Sequence, residues 1–176
     1  MAGQHTLSET ESAVRGRLGD LELDFEAMSV VSNLFRAANA VRNHLERTVL
    51  ARSDLTWTAF VVLWVTWIWE PIETRQIAAE GGFSKATLSG VMTTLEKRGL
   101  ITRERDTTDG RLVIVNLTPA GRKLMKRLFP EFNAQERQVT QHLGNREKQA
   151  AAQALREMIR GVEREDATQP PPPMRG

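Results

Sequence analysis

Residues 74–117 constrain the fold more than any other stretch, because within them the apolar period switches from helical to alternating at a glycine. Thr74 is a candidate cap for a short helix over 75–80, Gly81-Gly82 breaks it, and Ser84 opens a second helix that runs to Arg98, where Gly99 supplies a stop. Leu100–Arg105 and Leu112–Leu117 then alternate and are rich in β-branched residues. The Asp109-Gly110 pair between them is a tight-turn signal, since glycine tolerates positive φ. Two short helices around a glycine turn, followed at once by a two-stranded ribbon, give the layout of a helix-turn-helix with a wing.

The flanking segments read as helices. Phe25, Met28, Val31, Phe35, Ala38, Arg42, Leu45 and Val49 recur in steps of three and four, marking one face of a long helix over about 21–51. Thr56 or Asp54 can cap a second helix that reaches Trp69 and is stopped by Pro71. Thr118-Pro119 opens a helix that continues to about His142 and is expected to bend at Pro130; a last one over 146–165 is expected to bury Ala150, Leu155, Met158, Ile159 and Val162. The predicted fold class is mainly α with a small β-hairpin wing (α+β). Residues 1–20 are an N-terminal extension, either a mobile arm or a short helix. Residues 21–55 and 119–165 form a helical dimerisation region, 56–118 a winged helix-turn-helix, and 166–176 a Pro-rich tail expected to be disordered.

Charge is segregated along the chain. The net charge is only +2, yet residues 74–128 carry 11 basic and 5 acidic side chains, so all the positive excess lies around the helix-turn-helix and the ribbon. Concentrated basic charge is the footprint of a polyanionic partner. With no cysteine, thiolate metal sites, disulfides and cysteine nucleophiles are excluded. His5 and His142 suggest no metal site, and no phosphate-binding glycine loop or nucleophile–base pattern is present, so neither an enzyme nor a cofactor is expected. The longest apolar run, residues 56–69, is shorter than the roughly 20 residues of a membrane span, and no signal-peptide pattern is seen. A cytoplasmic protein without a membrane partner is expected.

If Leu88, Val91, Met92 and Leu95 face inward, the second short helix presents Lys85, Ala86, Ser89, Gly90, Thr93 and Lys97 outward, with Thr87 near the edge and Ser84 at the cap. Small polar side chains let a helix sit deep in a major groove about 12 Å wide. Lys85 reaches guanine acceptors or a phosphate, hydroxyls bond bases or phosphates, and Ala86 or a threonine methyl touches a thymine methyl. Arg103, Arg105 and Arg111 suit a wing that follows the backbone or enters a minor groove, with Asp109 holding Arg111 by a salt bridge; Arg75 joins this set as a basic residue of the first short helix.

LTWTAFVVLWVTW (55–67), IAAEGGFSKATLSGVMTTLEKRGLITRERD (77–106) and DGRLVIVNLTPAGRKL (109–124), in this order, resemble the MarR (multiple antibiotic resistance regulator) family of bacterial winged-helix transcription factors. The last segment carries the family's Asp-x-Arg wing tip and Leu-Thr-x-x-Gly junction. The resemblance covers residues 25–165 and implies an intertwined helical homodimer, each subunit offering one winged helix to a half-site of a pseudo-palindromic double-stranded DNA operator. Many relatives carry Arg where this chain has Gly90 and Thr94, which shifts expected readout toward hydroxyl contacts, the wing and DNA shape. The extension resembles that of urate-responsive relatives, but residues 1–56 lack the Trp found there, and urate is not expected.

Four tryptophans fall in thirteen residues. Trp57, Phe60, Trp64 and Trp67 share a helical face, either as a dimerisation core or as the wall of an aromatic ligand pocket. The resemblance implies small phenolic or lipophilic effectors bound between the dimer helices and the winged-helix lobe. Arg42 then pairs with a ligand carboxylate or phenolate, or with an acidic residue at the interface. His44, on the same helix, is a second effector candidate or a plain structural residue. The leading expectation is a dimeric repressor released by a small aromatic, phenolic or lipophilic ligand. The alternatives are a winged-helix protein-interaction module and a DNA binder without an effector.

Overall fold

A computed structural model describes residues 5–106 and 111–168. Among the described residues, seven α-helices and three strands follow in the order α1 (Leu7–Leu18), α2 (Phe25–Thr48), a 3-10 turn (Leu50–Ser53), α3 (Trp57–Trp69), β1 (Ile72–Glu73), α4 (Thr74–Gly81), α5 (Lys85–Lys97), β2 (Ile101–Arg105), β3 (Val113–Leu117), α6 (Pro119–Val139) and α7 (Asn145–Thr168). Two compact units are distinguished, one through Phe132 and one from Asn133 onward. The extension is thus helical over α1: Thr6 and Glu9 cap each other, Glu9 N–H donating to Thr6 Oγ1 at 3.2 Å and Thr6 N–H to Glu9 Oε2 at 2.7 Å.

The helix boundaries are set by local chemistry. Asp24 accepts from the N–H groups of Glu26 and Ala27 to start α2, and Thr56, rather than Asp54, accepts from Ala59 N–H to start α3. Thr74 is not the cap of α4. Its hydroxyl donates to the Val113 carbonyl at 3.1 Å, and Glu73 is the cap, its N–H held by Gln76 Oε1 at 3.2 Å. Helices α4 and α5 end alike. Gly82 (φ +63°) and Gly99 (φ +67°) take left-handed conformations, and the next N–H, of Phe83 or Leu100, returns to Ala78 or Leu95.

The expected two-stranded ribbon is a three-stranded antiparallel sheet of order β1-β3-β2. Ile72 pairs with Val115 and Ile101 with Leu117, so a two-residue strand too short to show a period closes the inner edge of the hairpin. The core of the first unit collects Leu45, Leu50, Leu63, Ile77, Leu88, Met92, Leu95, Val115, Met125 and Leu128 around α3. In the second unit α7 begins at Asn145, and within the single chain its apolar stripe is open: Leu155, Ile159 and Val162 are 42%, 59% and 60% exposed. A single amphipathic helix cannot cover its own apolar face.

The Leu-Thr-x-x-Gly junction has a steric cause. Thr118 Oγ1 donates to the Gly99 carbonyl at 2.6 Å and accepts from Gly121 N–H at 3.0 Å, drawing the start of α6 against the end of α5. A Cβ on Gly121 would stand 2.1 Å from the Leu100 carbonyl oxygen. Gly121→Ala is therefore expected to destabilise the chain by about 2–3 kcal/mol. The check is the midpoint of urea unfolding, and an unchanged midpoint would overturn this account of the junction.

Candidate nucleic-acid interface

Helix α5 is anchored by one face and open on the other. Leu88, Met92 and Leu95 are buried, and Val91 is partly so. Lys85, Ala86, Ser89, Gly90, Thr94 and Lys97 are exposed, and Thr93 is half-buried. Ser84 accepts from Thr87 N–H at 3.1 Å and its hydroxyl lies 2.8 Å from that of Thr87, so this pair is engaged in the cap. Thr93 and Thr94 each donate their hydroxyl to the carbonyl four residues back, at 3.0 and 3.1 Å. Their hydroxyl hydrogens are committed to the helix backbone, and each oxygen keeps acceptor capacity.

Three basic residues from separate elements meet beside the N-terminus of α5. Arg75 of α4, Lys85 of α5 and Arg111 before β3 line one concavity of about 480 Å³, floored by Ala78, Leu88 and Val113. Arg75 bonds Glu73 through Nε yet its side chain stays 75% exposed. On the wing, Arg105 is exposed at the outer end of β2, and Asp106 N–H donates to the Leu112 carbonyl, carrying the hairpin one step further. Asp109, expected at the wing tip as the partner of Arg111, lies outside the described residues.

Arg103 is engaged within the chain. Its guanidinium donates to Glu96 Oε2 through Nε at 3.0 Å and more closely through Nη2, tying β2 to the last turn of α5. The side chain is 28% exposed. Arg103 thus braces the wing against α5. Sequence reasoning missed Glu96 because the two residues are seven apart across the Gly99 turn, where no helical or strand spacing pairs them. It also missed Glu70, which accepts from Leu117 N–H at 2.8 Å and pairs with Arg122, joining α3 to β3 and α6.

The sequence profile of the MarR family matches residues 55–113. The uncharacterized HTH-type transcriptional regulator YwaE of Bacillus subtilis is 38% identical over 136 residues, 77% of this chain and 80% of YwaE. The chain belongs to the MarR family. Among solved structures, BpsR of Bordetella bronchiseptica, whose DNA binding is regulated by 6-hydroxynicotinic acid, is 29% identical with a TM-score of 0.66, over 73% of this chain and 98% of that one. AbsC, a MarR family regulator from Streptomyces coelicolor, shares the fold at a TM-score of 0.73 and 20% identity, over 81% and 98%. The chain is a winged-helix, DNA-binding transcriptional regulator of this family.

The aromatic residues expected to share one face of this MarR chain are divided. Phe60 is 3% exposed and stacks on Phe132 at 4.3 Å between ring centroids; Trp57 tilts against both, and Trp67 meets Phe129 edge-on at 5.9 Å. Trp64 is 40% exposed, with Ile68 and Trp69 also exposed. An all-apolar helix is covered on several sides, so helical spacing does not decide which rings meet. Arg42 is exposed on α2 and donates to Asn39 Oδ1 at 3.1 Å; His44 is half-buried, its carbonyl accepting from the Thr48 hydroxyl.

Arg103 holds the Glu96 carboxyl below the usual carboxylate range, chiefly through the side-chain hydrogen bond. A lowered pKa in the folded state means stability present above the unfolded value and lost as pH falls through the folded value. Wild type is therefore expected to melt higher than Glu96→Gln near neutral pH. The gap should close as pH falls below about 4, the ordinary glutamate range. A gap that persists unchanged into acid would show that the brace does not depend on the carboxylate charge.

Proposed function

We propose that the chain is a homodimeric repressor that reads a pseudo-palindromic operator with α5 and is released by a small aromatic acid or phenol. The observation that carries the DNA-reading part is the open face of α5 beside the concavity where Arg75, Lys85 and Arg111 converge. In this reading Lys85 and Arg75 meet phosphates or guanine edges, and Arg105 and Arg111, with Asp109, serve the wing. Ala86, Ser89, Gly90 and Thr93 lie against base edges, with Ser84 and Thr87 at the phosphate-facing end of the helix. Because Thr93 and Thr94 donate to their own helix's carbonyls, their oxygens act as acceptors toward adenine or cytosine amino groups.

Dimerisation is supported by apolar side chains that each unit leaves exposed: Val30, Val31 and Phe35 on α2, and Leu155, Ile159 and Val162 on α7. Residues 21–55 and 119–165 are the proposed dimerisation region and 56–118 the proposed DNA-binding region. Selection by the full-length protein from a random duplex pool is expected to enrich a two-fold symmetric sequence with half-sites about one helical turn apart. Preference over a scrambled duplex should reach about a thousandfold at about 0.15 M salt. Arg111→Ala is expected to weaken binding and reduce the salt slope by about one. An enriched site without symmetry, or none at all, overturns the reading.

The effector part rests on the relative BpsR and on the aromatic density of α3. Trp64 and its exposed neighbours offer an aromatic wall, with Arg42 the proposed partner of a ligand carboxylate or phenolate and His44 beside it on α2. Trp57, Phe60 and Trp67 then act from behind, as the packed layer that fixes α3. Across a panel of small aromatic acids and phenols, 6-hydroxynicotinic acid included, at least one is expected to quench tryptophan fluorescence. Its affinity should fall on adding operator DNA by the factor by which it weakens DNA binding. Quenching with equal affinity in both states would remove the release mechanism.

A further inference from the structure

We infer that Arg98 is a positioning residue for DNA binding, its guanidinium holding the end of α5 to the backbone where α2 gives way to α3. The inference rests on the reading of α5 as the DNA-reading helix. Arg98 caps the C-terminus of α5, and from there Nη1 donates to the Asp54 carbonyl at 2.7 Å and Nη2 to the Ser53 carbonyl at 2.8 Å, bonds that span 44 and 45 residues of chain.

The two acceptors are chemically apt. They close the 3-10 turn Leu50–Ser53, and Asp54 stands in the left-handed region at φ +49°. Carbonyls at the end of a helical turn lack onward partners and carry partial negative charge, which a cation satisfies. Two neighbouring carbonyls also match the planar fork of arginine, whereas a lysine ammonium is a point donor without that fork. On the far side of the turn, Glu46 Oε1 accepts from Trp57 N–H at 2.6 Å, so the last turn of α2 is bonded directly to the first turn of α3. The segment 46–57 is thus a closed knuckle, and Arg98 ties it to the recognition helix.

Arg98 is itself exposed, so its removal deletes little buried surface. What it removes is the constraint on the direction of the last turn of α5. The same tie makes any displacement of the end of α2 a displacement of the Ser53 and Asp54 carbonyls, and through them of α5. An exposed arginine at this place could instead bond a phosphate, and the two roles separate cleanly in solution.

The test uses full-length wild type, Arg98→Ala and Arg98→Lys. Each is titrated against the duplex that wild type enriches from a random pool and against a scrambled duplex, over a salt series. Affinity for the enriched duplex is expected to fall about tenfold in the alanine variant and nearly as far in the lysine variant, the size of one charge-assisted hydrogen bond. Affinity for the scrambled duplex and the salt slope should stay as in wild type. Full rescue by lysine, with a slope reduced by about one in alanine, would make Arg98 a phosphate contact and overturn the inference. Unchanged affinity in both variants would overturn it too. Should the alanine variant lose its helical signal, the lysine variant carries the comparison. A wild type that enriches no duplex overturns the DNA reading and this inference together, an outcome visible before any variant is measured.

Discussion

Helix α3 has thirteen residues and no charged side chain, and the first unit is arranged by the need to cover it. Val62 and Leu63 are fully buried, and Thr66, buried as well, satisfies its hydroxyl on the Val62 carbonyl at 2.8 Å. Burying apolar side chains of this size contributes about 1.5–3 kcal/mol each, so leaving α3 uncovered would cost more than a small domain's whole stability. The surrounding elements are therefore held to it from several sides. Ile77, Leu95 and Val115 bring α4, α5 and β3 into its core cluster, and Met125, Leu128 and Phe132 bring α6. The polar ties at its ends, Glu46 on Trp57 and Glu70 on Leu117 and Arg122, then fix what non-directional burial leaves free.

That division of labour explains how much of the molecule was legible in residue order. Features encoded locally were readable: the Thr56 and Ser84 caps, the reversals at Gly82 and Gly99 and the extent of α5 each depend on residues within about one turn of one another, and β2 and β3 each show their own alternation. Features encoded by distant partners were not. β1 exists because Ile72 meets Val115, forty-three positions on, and two residues cannot display a period. Thr74 has the composition of a cap, but its hydroxyl has a better partner in the Val113 carbonyl. Arg103 looks like a free wing cation until Glu96 is brought beside it.

The candidate site divides along the same line. The outward face of α5 followed from the inward face of the same helix, so Lys85, Ala86, Ser89 and Gly90 could be placed on it by spacing alone. The convergence of Arg75, Lys85 and Arg111 needed the fold, because α4, α5 and the segment before β3 supply one residue each. The aromatic set shows the limit of periodicity from the other direction. A helix apolar all round has no single stripe, so steps of three and four among Trp57, Phe60, Trp64 and Trp67 could not say that Phe129 and Phe132 of α6 would take three rings and leave Trp64 exposed.

Length bears on the proposed dimer as well. Helix α2 has 24 residues and so spans about 36 Å, close to the roughly 34–36 Å between half-sites one turn apart. In the proposed dimer, a winged helix tied to the far end of such a rod moves farther than the rod does at its root. A few degrees of rotation about a two-fold axis shift a point some 20 Å out by about 1 Å, and displacements of that size are enough to break oriented contacts. Coupling free energies of about 1–3 kcal/mol are typical of allosteric control. In the proposed dimer such a lever would need no rearrangement of the winged helix itself, only a junction at residues 46–57 that passes the rotation to α5. The Glu46–Trp57 bond and the two Arg98 bonds are the polar ties that cross that junction.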